Sequence, residues 1–246
     1  MSVVEELREQ GYAYASITDF FPYETWETLS WTADEWAASD VVQEHAQPSG
    51  PLSALDAMAS KTWMARRLHG FDEEDYAYDV DDPFLEVGLS PTFIDLAQEY
   101  FHGTPPRLAY YDLWHNFVMP ETEARVGSLQ WHRDAEANGH QDRILKVFLY
   151  FTDVDEEGAG PLEMFLSPSQ KLICWRPRGG LLFIDTGKHL HRGGFCTTKP
   201  RTLCIWYYFN PSLVPFNQLV PRYTLTAEAK KQHGNHSALH LARRES

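Results

Sequence analysis

From about residue 106 the chain changes texture: short runs rich in aromatic and β-branched residues alternate with Gly, Pro and Asp, whereas the first hundred residues read as mainly helical. Runs of that length and alternation form strands, and the punctuation between them forms turns. The candidate strands are Arg107 to Val118, Ser128 to His132, Arg143 to Thr152, Leu162 to Leu166, Lys171 to Trp175, Gly180 to Asp185 and Arg201 to Phe209. Strands of this kind following helices predict a mainly β fold, a sandwich or barrel of antiparallel sheets with helices packed on one outer face. In the helical part, Trp26, Leu29, Ala33 and Trp36 share one face of a helix that starts after Pro22. A second helix has fuller signals: Ser90 caps it, Pro91 fits its first turn, Phe93, Leu96, Ala97 and Tyr100 make its stripe, and Gly103 ends it. No repeat or linker interrupts the chain, so it reads as one domain over 1–246, with helical support in 1–105, a β core in 106–210 and a closing loop and tail in 211–246.

Charge excludes some partners. With 21 Lys+Arg against 35 Asp+Glu, the net charge is −14, and no overall positive field gathers nucleic acid or anionic lipid. No apolar run approaches the roughly 20 residues that cross a bilayer, and Met1 to Glu6 has no signal-peptide pattern, so the expected address is the cytoplasm. Cys174, Cys196 and Cys204 are odd in number and lack Cys-x-x-Cys spacing, which argues against a disulfide framework or a zinc knuckle. The acidic run from Asp72 to Asp82 lacks the glycine and ligand spacing of a calcium loop. It reads as a solvated loop, with a lid over the active site as the other reading.

The chemistry gathers at two places. His132-Arg133-Asp134 follows a strand-like run, and in an extended chain its first and third residues point to the same side, able to grip one metal ion. A second match to that spacing, His140-Gln141-Asp142, follows Asn138-Gly139 and is more simply a polar turn. The third ligand comes from His189 or His191, two residues apart and on one face. Two histidines and one carboxylate on one side of an ion leave positions open, the arrangement that suits non-haem Fe(II), whereas zinc favours a closed tetrahedron. Arg201 begins a run in which it shares a face with Leu203, Ile205, Tyr207 and Phe209. A guanidinium on an apolar face is costly unless an anion pairs with it. Lys146, inside Leu145-Lys146-Val147-Phe148-Leu149, poses the same question: it either faces solvent from an edge strand or joins Arg201 as a cofactor-binding residue.

Taken in order, these pieces resemble the phytanoyl-CoA dioxygenase (PhyH)-like family of Fe(II)/2-oxoglutarate oxygenases. The resemblance rests on Gly11-Tyr12-Ala13-Tyr14 with Phe20-Phe21-Pro22, on Trp131-His132-Arg133-Asp134, on Leu145 to Asp155 through Gly160-Pro161-Leu162, and on His191 with Arg201. It implies a double-stranded β-helix, a cupin-like jelly roll buttressed by N-terminal helices. It also implies Fe(II) on His132, Asp134 and His191, with Arg201 pairing with the distal carboxylate of 2-oxoglutarate. His189 is the fallback ligand, since it lies twelve rather than ten residues before Arg201. The implied reaction uses O₂ and 2-oxoglutarate to hydroxylate a C–H bond of a small molecule, with release of succinate and CO₂. Two positions depart from the family pattern. Ser167-Pro168-Ser169-Gln170 stands where relatives often have Pro-Gly-Ser-His, and Leu203 replaces the hydroxyl residue often found two after the arginine. Thr202 points to the wrong face, so the second carboxylate contact has no assigned residue.

Two other functions are compatible with such a scaffold. A radical halogenase replaces the carboxylate ligand by a small residue, which Asp134 argues against. A metal-free jelly-roll binding module would take up neither iron nor 2-oxoglutarate. Tyr111, Trp114 and Trp206 are candidate pocket aromatics or plain core, and His233, His236 and His240 read as solvent-exposed tail residues.

Overall fold

A computed structural model describes residues 1–43, 64–66, 77–78, 81–118, 127–134, 142–214, 224–225, 227–233, 236 and 238. Helix α1 (Val3–Gln10) opens on a capping box, in which the Ser2 and Glu5 side chains each take the other's backbone N–H. It stops at Gly11, whose φ of +81° suits glycine, and where a Cβ would lie 2.5 Å from the His189 ring. Strand β1 (Tyr12–Ser16) follows, then α2 (Tyr23–Ala38), α3 (Asp40–Gln43) and the short strands β2 (Met64–Arg66) and β3 (Ala77–Tyr78). Helices α4 (Pro83–Gly88) and α5 (Pro91–Tyr100) both carry proline in the first turn, and Asp82 and Ser90 cap them by accepting backbone N–H groups. The β half contains β4 (Arg107–Asn116), β5 (Ile144–Tyr150), β6 (Leu162–Ser167), β7 (Gln170–Cys174), β8 (Gly180–Ile184), β9 (Leu190–Gly193) and β10 (Arg201–Phe209). Beyond it lie β11 (Thr224–Leu225) and α6 (Ala227–His233).

The protein is mostly β with flanking helices, and its two main sheets are antiparallel and unclosed. The larger runs β1-β8-β5-β10-β4-β2 and the smaller β7-β6-β9, while β11 and β3 pair in parallel on their own. From β4 onward the chain passes repeatedly between the sheets. It goes from β4 to a backbone bridge between His132 and His191 beside β9, back to β5, over to β6 and β7, and then to β8, β9 and β10. The segment expected to be a strand from Ser128 to His132 is instead a 3₁₀ turn, Gly127–Leu129, followed by that single bridge. Strand β9, with four residues, has no counterpart among the sequence-based expectations.

Alternation along the central strands divides the core into two layers. Val147, Leu149, Phe183, Trp206 and Tyr208 face the helices and pack with Leu29, Phe84 and Phe93. Their polar atoms are satisfied there: Trp206 Nε1 donates to the Phe84 carbonyl and Tyr208 to the Gly88 carbonyl, each at 2.7 Å. Phe148, Tyr150, Leu182, Ile184 and Leu203 point the other way and meet Leu162 and Met164 of the small sheet. The faces predicted for α2 and α5 are the buried ones, with Trp26 stacked on Phe151 at a centroid distance of 5.7 Å. Of the acidic run, Asp82 is a helix cap rather than a solvated residue and also pairs with the Tyr111 hydroxyl, while 72–76 and 79–80 lie outside the described residues. His233 and His236 are half-buried, which corrects the expectation of exposed tail histidines, and His240 lies outside the described residues. Among the described residues, no helix is long and apolar enough to cross a membrane.

Candidate metal and co-substrate site

Four separate pieces of chain build the site. His132 and His191 exchange backbone hydrogen bonds of 3.0 and 2.9 Å, which hold their rings side by side at a centroid distance of 4.4 Å. The Asp134 backbone N–H donates to the Thr186 carbonyl at 3.4 Å, so the carboxylate follows the turn between β8 and β9. One ligand atom from each of His132, Asp134 and His191 lies within 4.8 Å of the others, and among the described residues no other group of His, Cys, Asp and Glu converges in this way. Residues 135–141 are not described, so His140 lies outside this comparison.

The protonation states suit a cation. His132 Nδ1 lies 2.7 Å from the Gln130 carbonyl and His191 Nδ1 lies 3.0 Å from the His189 carbonyl. A carbonyl only accepts, so each Nδ1 carries a proton, which makes Nε2 the nitrogen through which each ring could ligate a metal. Burial pushes His191 down to about 4 despite the Asp134 carboxylate beside it, which leaves the ring neutral at pH 7. For Asp134, burial pushes the carboxyl up, but Lys146, His191 and Thr186 together outweigh it and hold the group ionised. Its Oδ2 lies 2.8 Å from Lys146 Nζ as an ion pair, yet makes no well-directed hydrogen bond, so a buried acceptor is left with lone-pair capacity. Two imidazoles, that of His191 neutral, and an under-satisfied carboxylate converging on one point fit a divalent cation.

His189 has another role. Its two ring nitrogens face the carbonyls of Gln10 and Phe165, at 2.6 and 3.1 Å, which ties β9 to the end of α1 and to β6. Its partner in shaping the preceding turn is Asp185, fully buried, which accepts from Tyr100 Oη (2.6 Å) and from the backbone N–H groups of Asp142 (2.9 Å), Gly187 (2.9 Å) and Lys188 (3.1 Å). Replacing Asp185 with alanine strands those donors, and we expect a loss of about 3 kcal/mol in unfolding free energy, measured by urea denaturation.

The rings of His132 and His191 line a cavity between the sheets, shared with Lys146, Tyr150, Arg201 and Leu203. Arg201 is 5% exposed, and its Nε and one terminal nitrogen donate to Asn116 Oδ1 at 3.1 and 2.8 Å, while the other terminal nitrogen reaches the Gly160 carbonyl. Those bonds fix the plane of the guanidinium inside the cavity. Tyr150 was not singled out from sequence. It follows Lys146 and Phe148 on the inward face of β5, its hydroxyl is fully buried with no hydrogen-bond partner among the described residues, and Leu203 of β10 lies opposite it. Burial raises the phenol, and the nearby Arg201 offsets part of that rise, so the phenol remains a proton donor aimed into the cavity.

Lys146 departs from the edge-strand expectation: β5 lies between β8 and β10, and the ammonium turns inward to Asp134. Thr202 does face away, its hydroxyl 2.9 Å from His115 Nδ1. Ser167-Pro168-Ser169-Gln170 forms the tight turn from β6 to β7. Of the candidate pocket aromatics, Trp114 lines the cavity, whereas Tyr111 and Trp206 belong to the helix-facing core.

The cavity, its buried arginine and the three ligands set what the chain can be compared with. It shares the fold of non-heme, alpha-ketoglutarate-dependent enzymes. The epimerase SnoN from nogalamycin biosynthesis superposes with a TM-score of 0.54 at 16% identity, over 85% of this chain and 82% of that one. AviO1 from Streptomyces viridochromogenes Tue57 gives 0.57 at 16%, over 87% and 96%. EctD from S. alaskensis gives 0.55 at 15%, over 100% and 85%. SnoN has also been solved with Fe3+, alpha ketoglutarate and nogalamycin RO. No protein-family model and no curated protein matches the sequence.

Proposed function

We propose that this chain is an Fe(II)- and 2-oxoglutarate-dependent oxygenase that hydroxylates a C–H bond of a small molecule, on a double-stranded β-helix of the PhyH-like kind. The observation that carries the reading is the meeting of two imidazoles and an ionised aspartate beside a cavity that also contains a buried arginine. The passage of the chain between facing antiparallel sheets supports the jelly-roll reading.

His132, Asp134 and His191 would hold Fe(II), and Arg201 would pair with the distal carboxylate of 2-oxoglutarate. Bound there with O₂ and 2-oxoglutarate, the iron supplies the oxidising power to break an unactivated C–H bond, with succinate and CO₂ released. The protein's own work is positional. The Gln130 and His189 carbonyls set the tautomers of the ligand rings, and Asn116 holds the Arg201 fork in plane. We assign the second contact to that carboxylate to Tyr150, whose buried hydroxyl supplies a neutral donor where Leu203 has none. Phe148, Leu162, Leu203 and Ile205 give the cavity an apolar lining that limits water around the reacting bond.

The test is direct. Adding Fe(II) and 2-oxoglutarate to the anaerobic protein should give a weak visible charge-transfer band, absent in His132→Ala, and admitting O₂ with substrate should form succinate. A colourless mixture with no calorimetric heat would overturn the assignment in favour of a metal-free binding module. Neighbours of this fold include an epimerase and a carbocyclase, so product analysis decides whether hydroxylation is the outcome.

A further inference from the structure

Lys146 poses an electrostatic question that co-substrate binding alone does not answer. Its ammonium stands 2.8 Å from Oδ2 of Asp134, with side-chain exposures of 14% and 11%. A metal-ligand carboxylate thus already has a buried counter-ion in the protein without metal. Among the described residues, Asp112, Lys146 and Arg201 line the cavity, and Asp134 stands against Lys146 beside it. A divalent cation entering alone would add two positive charges to a cavity whose lining is mostly apolar and already holds the cations Lys146 and Arg201. Its repulsion by an ammonium bound to the same carboxylate would be strong, because charges are poorly screened where water is scarce. A dianion such as 2-oxoglutarate, entering with the cation, offsets the two added charges.

We propose that Lys146 is a positioning residue that keeps Asp134 turned into the cavity when no metal is present and makes tight metal binding conditional on a dianionic co-ligand. This rests on the metal and 2-oxoglutarate reading given above and adds a form of regulation to it. By linkage, the factor by which the dianion tightens metal binding equals the factor by which the metal tightens dianion binding. Lys146 enlarges that factor by opposing the cation alone. The inward turn of the lysine is built into the sheet: Lys146 lies opposite Tyr207 on one side and Ile184 on the other, and its Nζ lies 5.1 Å from the centre of the Tyr207 ring.

Calorimetric titration of the full chain with Mn(II), which avoids oxidation, tests this with and without saturating 2-oxoglutarate. Lys146→Met should bind Mn(II) alone at least about tenfold more tightly than wild type. In that variant, the tightening caused by 2-oxoglutarate should shrink by a similar factor, and the metal-free protein should melt at lower temperature because Asp134 has lost its counter-ion. Lys146→Arg should keep the wild-type pattern. Lys146→Gln, close in size and uncharged, provides the same measurement if the methionine variant does not fold, as judged by circular dichroism. A folded neutral variant that binds Mn(II) alone no more tightly than wild type overturns the proposal and leaves the metal site intact. Failure of the wild-type protein to bind Mn(II) under either condition overturns the site assignment, and this proposal with it.

Discussion

Replacing His191 with alanine should weaken divalent-metal binding by at least about a thousandfold and abolish succinate formation, beyond the 10–100-fold typical of losing a group that only supports a ligand. The size of the effect follows from how the ring is presented. His191 is 4% exposed, its backbone N–H and carbonyl both bond to His132 while Met164 lies opposite it in β6, and its Nδ1 faces the His189 carbonyl, so Nε2 has one direction available. Among the described residues, Glu163, one strand away on β6, is not free to substitute, since it is engaged with Lys171 and Arg192 at 2.9 and 3.0 Å. His189→Ala is the matched control. It removes an imidazole two residues away whose nitrogens face backbone carbonyls, so it should lower stability and leave metal affinity within about threefold. Equal loss of metal binding in both variants would mean that β9 as a whole, rather than one ligand, had been disturbed. Calorimetry with Mn(II) separates the two cases.

The contrast between these histidines marks how far the sequence could be read. Spacing alone leaves His189 and His191 equivalent, because both lie on one face of an extended segment; what separates them is that α1 and β6 present carbonyls to one ring and His132 approaches the other. Long, strongly patterned segments were legible. The strand expected from Arg201 to Phe209 runs over those residues, and the stripes on α2 and α5 are buried as their periodicity requires. Segments whose geometry comes from a tertiary partner were not. The chain before His132 reads as a strand by composition, but it makes one bridge, and that bridge depends on a four-residue strand that has no repeat of its own to detect. Two helix N-termini carry their signals in the sequence itself: Ser2 with Glu5 is a capping-box pair, and Asp82-Pro83 is a cap followed by a first-turn proline. Tyr150 was within reach of the same alternation argument that flagged Arg201, since it shares a face with Lys146, but its hydrophobic neighbours made it look like core. Tyr111 and Trp206 take the plain-core reading, because alternation within β4 and β10 places them on the helix side, whereas Trp114 lines the cavity.

Arg201→Ala should raise the apparent Kd for 2-oxoglutarate by about two orders of magnitude or more, since truncating one partner of a buried, hydrogen-bonded charge pair costs about 2–5 kcal/mol. Mn(II) affinity measured without co-substrate should change by less than about threefold, because charge effects decay with distance and the charge that bears most on Asp134 is that of Lys146. Arg201→Lys should recover little. The lysine keeps the charge but loses the planar fork that donates to Asn116 through two nitrogens and orients the remaining donors. Tyr150→Phe separates recognition from packing. It preserves the ring and deletes a buried hydroxyl that has no partner in the protein alone, so the metal-free chain should be at least as stable as wild type. Affinity for 2-oxoglutarate should nevertheless fall by about tenfold, the value of one hydrogen bond to a charged group. A hydroxyl that costs stability in the empty protein and contributes affinity in the complex is the signature of a binding group. If Tyr150→Phe instead lowered the melting temperature and left co-substrate affinity unchanged, the phenol would be a core residue, and the second contact to the carboxylate would have to come from elsewhere in the cavity. If Arg201→Ala weakened metal and co-substrate equally, the guanidinium would be serving the packing of β10 against Asn116 and Gly160 rather than an anion.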